Sequence, residues 1–112
     1  MTDSLEVKRG DIYWVDWGKE AGLHPALIIQ NDIGNKYSDS TIVAYITSTP
    51  PKELPIIVGF KEHESSLAGG GAVDLGRIMT IPKSILREKI GHISSRKIPQ
   101  INEAILASLG ID

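Results

Sequence analysis

Thr41-Ile42-Val43-Ala44-Tyr45-Ile46-Thr47 is the stretch on which the fold turns. All but Ala44 are β-branched or aromatic, types that fit a pleated surface. The run predicts a central strand, ended by Pro50-Pro51. Upstream, Pro25 to Gln30 is an apolar run of strand length, headed by a proline that removes no interior ladder bond. Asn31-Asp32-Ile33-Gly34-Asn35 follows, dense in turn-tolerant residues. Before it, Asp11 to Trp17 mixes aromatic and β-branched residues, and Gly18 to Gly22 reads as a loop. Downstream, Pro55 to Phe60 is a further strand, Lys61 to Gly71 a polar glycine-rich connection, and Ala72 to Ile81 a strand with Gly76 as a candidate bulge. Pro82 to Leu86 reads as a single helical turn and Glu88 to Ile93 as the last strand. Closely spaced strands with turns between them predict a small antiparallel barrel.

The C-terminus changes period. Ile98, Ile101, Ala104, Ile105 and Leu109 recur at helical spacing, with Ser95 as the expected N-cap, Pro99 in the first turn and Gly110 where the helix stops. The expectation is one domain over residues 1–112, mainly β, with one amphipathic C-terminal helix against the barrel.

Composition narrows the function classes. Twelve Lys and Arg against fourteen Asp and Glu give a net charge of −2, which excludes a polycationic nucleic-acid binder but not a local basic patch. With no cysteine, a disulfide scaffold, a cysteine nucleophile and thiolate zinc sites are excluded. No apolar stretch approaches a membrane span and Met1 to Arg9 lacks an export signal, so a soluble cytoplasmic protein is expected. Several motifs fail. Gly69-Gly70-Gly71 lacks the Lys-Ser/Thr of a phosphate loop, and His63-Glu64 lacks a second histidine at Leu67. Glu62-His63-Glu64 reads as a solvated turn, and Arg9-Gly10-Asp11 copies an adhesion tripeptide by coincidence at a strand entry. No Gly-x-Ser-x-Gly elbow is present. No residue pattern implies a cofactor or a metal.

Three segments carry more information together. Lys8-Arg9-Gly10-Asp11-Ile12-Tyr13-Trp14, then His24 to Asn35, then Thr41 to Thr47, resemble the MazF/PemK toxins, ribonuclease halves of bacterial toxin–antitoxin pairs. The likeness continues more weakly through Leu54-Pro55 and Arg77 to Ile81 into the C-terminal helix. It implies an SH3-like barrel that forms a homodimer, with single-stranded RNA in a groove across the two subunits. It implies sequence-specific cleavage without a metal, leaving a 2′,3′-cyclic phosphate and a 5′-hydroxyl. It also implies a MazE-like antitoxin whose acidic tail occupies the same groove.

That chemistry requires a 2′-hydroxyl to lose a proton, a 5′-oxygen to gain one, and the non-bridging oxygens to meet charge or hydrogen-bond donors. The family places an arginine before the proline of the second strand and a threonine at the end of the third; the matching positions are His24 and Thr47. Thr47 fits, its hydroxyl suited to donate to a phosphoryl oxygen. His24 departs from the pattern, since arginine is a permanently charged clamp whereas histidine exchanges a proton readily. His24 is then a general acid or base, the mark of a weakened site, or a residue that ends a loop and packs where it falls. Asn31, Asp32 and Asn35 can read base edges or build their own turn. Ser48 follows Thr47, Leu54 and Pro55 resemble the apolar wall of the family's substrate loop, and Arg77 stands where the family carries a polar residue near the bases, two positions along the same strand face from Met79, which replaces a basic residue common there. Lys8, Arg9, Lys36 and Lys52 are phosphate contacts or solvated surface. The loop from Gly18 to Leu23 is short for the family, in which that loop gates the groove. Two further readings share the fold: a non-catalytic RNA- or protein-binding homologue, and a CcdB-like gyrase poison. The second is disfavoured by the ending Leu109-Gly110-Ile111-Asp112, which lacks a terminal aromatic.

Overall fold

The computed structural model describes residues 6–49 and 53–111. Strand β1 (Asp11–Asp16) is followed by β2 (Leu23–Ile28), helix α1 (Asp32–Tyr37), β3 (Ser40–Thr47), β4 (Ile57–Phe60), β5 (Gly71–Pro82), β6 (Leu86–His92) and helix α2 (Ile98–Leu109). All strand pairs are antiparallel and form one sheet in the order β4-β5-β3-β2-β1-β6. The strand predicted from residues 41–47 therefore lies inside the sheet, between β2 and β5.

Its continuous apolar character has a direct cause: the middle of the sheet is covered on both faces. One cluster gathers Ile12, Leu27, Ala44, Ile46, Val58, Phe60, Val73 and Leu75 beneath Ile101 and Ala104 of α2. The other gathers Tyr13, Val15, Ala26, Ile28, Val43, Ile81 and Leu86. Alternate residues of β1, β2 and β3 enter opposite clusters, as the two-residue period of a strand demands. Within α2 the expected stripe holds through Ile98, Ile101, Ala104 and Ile105, but Leu109 at its end is exposed.

The mainly β, barrel-like architecture with a C-terminal helix is as expected; its six-stranded sheet is open, and β4 and β6 are its edges. The four-residue β4 pairs only with β5, and the connection 61–70 packs against the end of β6 and the residues after it. Ser94 donates its backbone N–H to the Glu64 carbonyl at 2.7 Å. Gly91 faces the Ser65 carbonyl so closely that a Cβ would lie 2.5 Å from it, which restricts that position to glycine. Glu62 and Glu64 accept the backbone N–H groups of Gly69 and Lys61, at 3.0 and 2.9 Å. The Arg9-Gly10-Asp11 tripeptide is likewise structural: Gly10 has φ +97°, and the buried Asp11 accepts from Lys8 N–H at 2.9 Å and pairs with Lys89 at 3.3 Å.

Two boundaries differ from the sequence reading and a third agrees with it. Residues 31–35, expected as a turn, begin α1, because the Asn31 side chain caps Gly34 N–H at 2.7 Å. Ser94, one residue before the expected Ser95, caps a 3₁₀ turn over Ser95–Lys97 that runs into α2. Gly110 ends α2 in the left-handed conformation, φ +72°, as its position after the periodic stripe predicts. Pro50, Pro51 and Lys52 lie outside the described residues. No helix among the described residues is long and apolar enough to cross a membrane.

Candidate active site

Strands β2 and β3 pair with Ala26 opposite Tyr45 and Leu27 opposite Ala44. Continued two residues past the last pair, this register brings the start of β2 against the end of β3. His24 and Thr47 both line one cleft of about 300 Å³ there, with Ser48, Tyr45, Trp14, Leu67, Ala68 and Gly70 among its further walls. Both are half-buried. Because His24 precedes Pro25, its backbone is confined to extended geometry, which fixes the origin of the side chain.

The imidazole is also held at its tip. His24 Nε2 lies 2.8 Å from the Ala21 carbonyl. A carbonyl only accepts, so Nε2 carries the proton, and Nδ1 is left with no partner among the described residues. Ala21 belongs to the 18–22 turn, closed by Gly22 N–H donating to Gly18 O at 2.7 Å and Trp17 N–H to Gly22 O at 2.9 Å. Gly18 and Gly22 have φ of +106° and +75°, conformations that glycine adopts without strain. The short loop therefore orients the histidine directly.

Thr47 Oγ1 accepts from Thr49 N–H at 3.2 Å and donates to the Thr49 carbonyl at 3.3 Å. Both bonds are long, so the hydroxyl proton is easily redirected to a better acceptor. On the other side of His24 a recess of about 530 Å³ is lined by Trp17, Ala21, Tyr45, Arg77 and Met79. The Tyr45 ring contacts His24 (5.7 Å between centroids) and Trp17 (6.3 Å), and the Arg77 guanidinium lies 5.2 Å from its centroid. Trp17 Nε1 is buried and has no hydrogen-bond partner among the described residues.

The other residues singled out from the sequence lie elsewhere. Asn31, Asp32 and Asn35 follow the far end of β2, away from the His24 cleft, and take part in local hydrogen bonds there. Asn31 caps α1, and Asp32 accepts Arg9 N–H at 2.6 Å. Asn35 is 1% exposed; its carbonyl oxygen accepts from Gln30 Nε2 at 3.0 Å and Thr41 Oγ1 at 2.7 Å, and its Nδ2 donates to the Gln30 carbonyl at 2.9 Å. Leu54 and Pro55 are exposed just before β4 and do not line the His24 cleft. Arg9 is engaged by the Ile29 carbonyl and Asn102, both near 2.8–2.9 Å. Sequence reasoning overlooked Tyr45, although it shares Thr47's strand face by alternation, and Trp17, which ends the run after β1.

Fold and cleft together define a small protein with an open, two-sided antiparallel sheet, a C-terminal helix, and an imidazole beside a hydroxyl at one sheet end. The model of the PemK-like, MazF-like toxins of type II toxin–antitoxin systems matches residues 8–109, and the chain belongs to that family. It is 37% identical over 111 residues to the endoribonuclease MazF of Staphylococcus saprophyticus, covering 94% of this chain and 92% of that one. An endoribonuclease in complex with its cognate antitoxin, from a mycobacterial species, superposes with a TM-score of 0.83 at 26% identity, over 95% of this chain and 97% of the other. A MazE–MazF structure from Deinococcus radiodurans superposes with a TM-score of 0.79 over 97% of this chain and all of that one; at 17% identity that likeness concerns the fold.

Proposed function

We infer that this protein is an endoribonuclease toxin that cuts single-stranded RNA at a short sequence by internal transesterification, without a metal, and is neutralised by an antitoxin. The observation that carries the reading is the shared cleft of His24 and Thr47, with Nδ1 unengaged and the threonine hydroxyl weakly held. Family membership and the 37%-identical endoribonuclease support it.

In this mechanism Nδ1 of His24 takes the proton of a ribose 2′-hydroxyl. The 2′-oxygen forms a bond to the adjacent phosphorus as the bond from phosphorus to the 5′-oxygen breaks, its electron pair leaving on that oxygen. Water entering the open cleft protonates the leaving group, and the product ends are a 2′,3′-cyclic phosphate and a 5′-hydroxyl. Thr47 donates to a non-bridging oxygen, exchanging its long bond to Thr49 for a shorter one to an anion. Histidine in place of the family arginine thus brings a proton acceptor to the reacting group and gives up a fixed charge. His24 and Thr47 are the catalytic residues of this reading, while Ser48 lines the same cleft and Arg77 the neighbouring recess. The partner is an antitoxin segment competing with RNA for the cleft, and the working unit is a homodimer.

The test is incubation of purified protein with a long unstructured RNA in excess EDTA, followed by mapping of the ends. Discrete fragments with 5′-hydroxyl ends are expected. Intact RNA, or fragments bearing 5′-phosphates, would contradict the reading.

A further inference from the structure

The chemistry above leaves one demand unmet. Attack at phosphorus concentrates negative charge on two non-bridging oxygens. A histidine acting as base starts the step neutral, and a threonine hydroxyl carries no charge. Among the described residues lining the cleft and its recess, Arg77 is the one permanent cation.

Arg77 is a surface side chain, 64% exposed, but one edge of it is engaged. Ala44 pairs with Ile78 but Tyr45 pairs with Asp74, so Leu75, Gly76 and Arg77 form a bulge on β5. Bulges of this kind re-aim side chains beside a site. Asp74 organises the bulge: its Oδ1 accepts Gly76 N–H at 2.9 Å, and its Oδ2 lies 3.4 Å from Arg77 Nε. The guanidinium rests 5.2 Å from the centroid of Tyr45, the same ring that contacts His24 at 5.7 Å. Carboxylate and ring thus hold the Nε edge and the plane. The two terminal nitrogens have no partner among the described residues, which leaves a fork of donors suited to phosphate oxygens.

We propose that Arg77 is the phosphate clamp of this site, contacting the non-bridging oxygens of the scissile phosphodiester, and that Tyr45 is a positioning residue whose ring sets the clamp's place relative to His24. The proposal rests on the ribonuclease reading and adds to it a source of fixed charge. Arg77 exchanges no proton. It acts by being charged and oriented before the oxygens acquire their negative charge, the arrangement that gives electrostatic stabilisation its weight.

The test measures single-turnover cleavage at saturating single-stranded RNA in EDTA, alongside affinity for the same strand with 2′-deoxy residues that cannot react. R77A is expected to lower the saturated rate about 100-fold, with affinity for the unreactive strand changed by less than about fivefold. R77K is expected to fall between, because it keeps the charge and loses the fork. Y45F keeps the ring and stays within about threefold of wild type. Y45A falls toward R77A, and the R77A/Y45A double variant is no slower than R77A, because the ring acts through the guanidinium. Thermal unfolding of each variant accompanies the rates, and R77K and Y45F carry the test should Y45A unfold. An R77A protein that binds weakly but cleaves at the full saturated rate overturns the clamp, and multiplying losses in the double variant overturn the role of Tyr45. A wild-type protein that cuts no RNA removes the ribonuclease reading and the clamp with it, whereas a cutting wild type matched by R77A removes the clamp alone.

Discussion

The two ends of the β2–β3 pair carry similar inventories of polar side chains and use them oppositely. At one end Asn31 caps Gly34 N–H, Asp32 accepts Arg9 N–H, and Asn35, sealed from water, bonds to Gln30 and Thr41. At the other end His24 keeps one ring nitrogen unengaged, Thr47 has only long bonds to Thr49, and Arg77 leaves its fork unpaired among the described residues. Residue type does not separate a structural polar cluster from a reactive one. The separation lies in where the hydrogen bonds go: the buried, fully bonded Asn35 rigidifies a turn, while a partly satisfied group has capacity left for a ligand.

Substitutions at the two ends should therefore affect different measurements. The largest effect is expected at His24→Ala, which should slow RNA cleavage about 100-fold or more while leaving the thermal midpoint nearly unchanged, because the ring is half-buried and replaces no core contact. Kinetics and calorimetry on the same preparation check both halves. Asn35→Ala should do the reverse, removing about 2–3 kcal/mol of stability because Thr41 and Gln30 lose a buried partner, with cleavage per folded molecule close to wild type. Urea unfolding with parallel activity measurements decides that case; a large loss of specific activity would place Asn35 with the catalytic end. Asn31→Ala should lower stability by about 1 kcal/mol through loss of the α1 cap, again with little change in cleavage.

The smallest effect is at the 61–70 connection. Glu64 is held below its ordinary value of 4.5 chiefly by the Lys61 backbone N–H; burial opposes this, and the charges of Lys97, His63 and Lys61 add to it. A depressed carboxyl contributes stability that is present above its ordinary value and is lost as pH falls through the lower folded value. Glu64→Gln should flatten that acid limb of the unfolding midpoint while leaving the neutral-pH midpoint almost unmoved, as a pH series of melts would record.

Much of the fold is legible in the chain because its apolar runs are unambiguous. Residues 41–47 form a central strand, Gly76 lies in a bulge and Gly110 ends a helix, each for the local reason that the sequence offers. That the sheet is open is not legible, because it depends on a four-residue β4 that pairs only with β5 and on how the 61–70 connection meets β6, which no local pattern encodes. The candidate site is half legible. The positions of His24 and Thr47 follow from the family resemblance, and strand pairing brings them together. Asn31, Asp32 and Asn35 carry the same donors and acceptors whether they read a base or cap a helix, so only the bonding pattern assigns them. Tyr45 was readable in principle, since it stands two residues from Thr47 on one strand face. Its partnership with Arg77 depends on a three-residue bulge whose length the sequence does not announce.

If the cleft drives attack by the ribose hydroxyl next to the cut bond, one substrate change should abolish cleavage. A strand carrying a single 2′-deoxy nucleotide on the 5′ side of the mapped cut, and ribose elsewhere, is incubated with wild-type protein in EDTA. This strand is expected to bind as its all-ribose counterpart does and to stay intact at that position. Cleavage there at an undiminished rate would contradict it, because no attacking oxygen would remain for His24 to deprotonate.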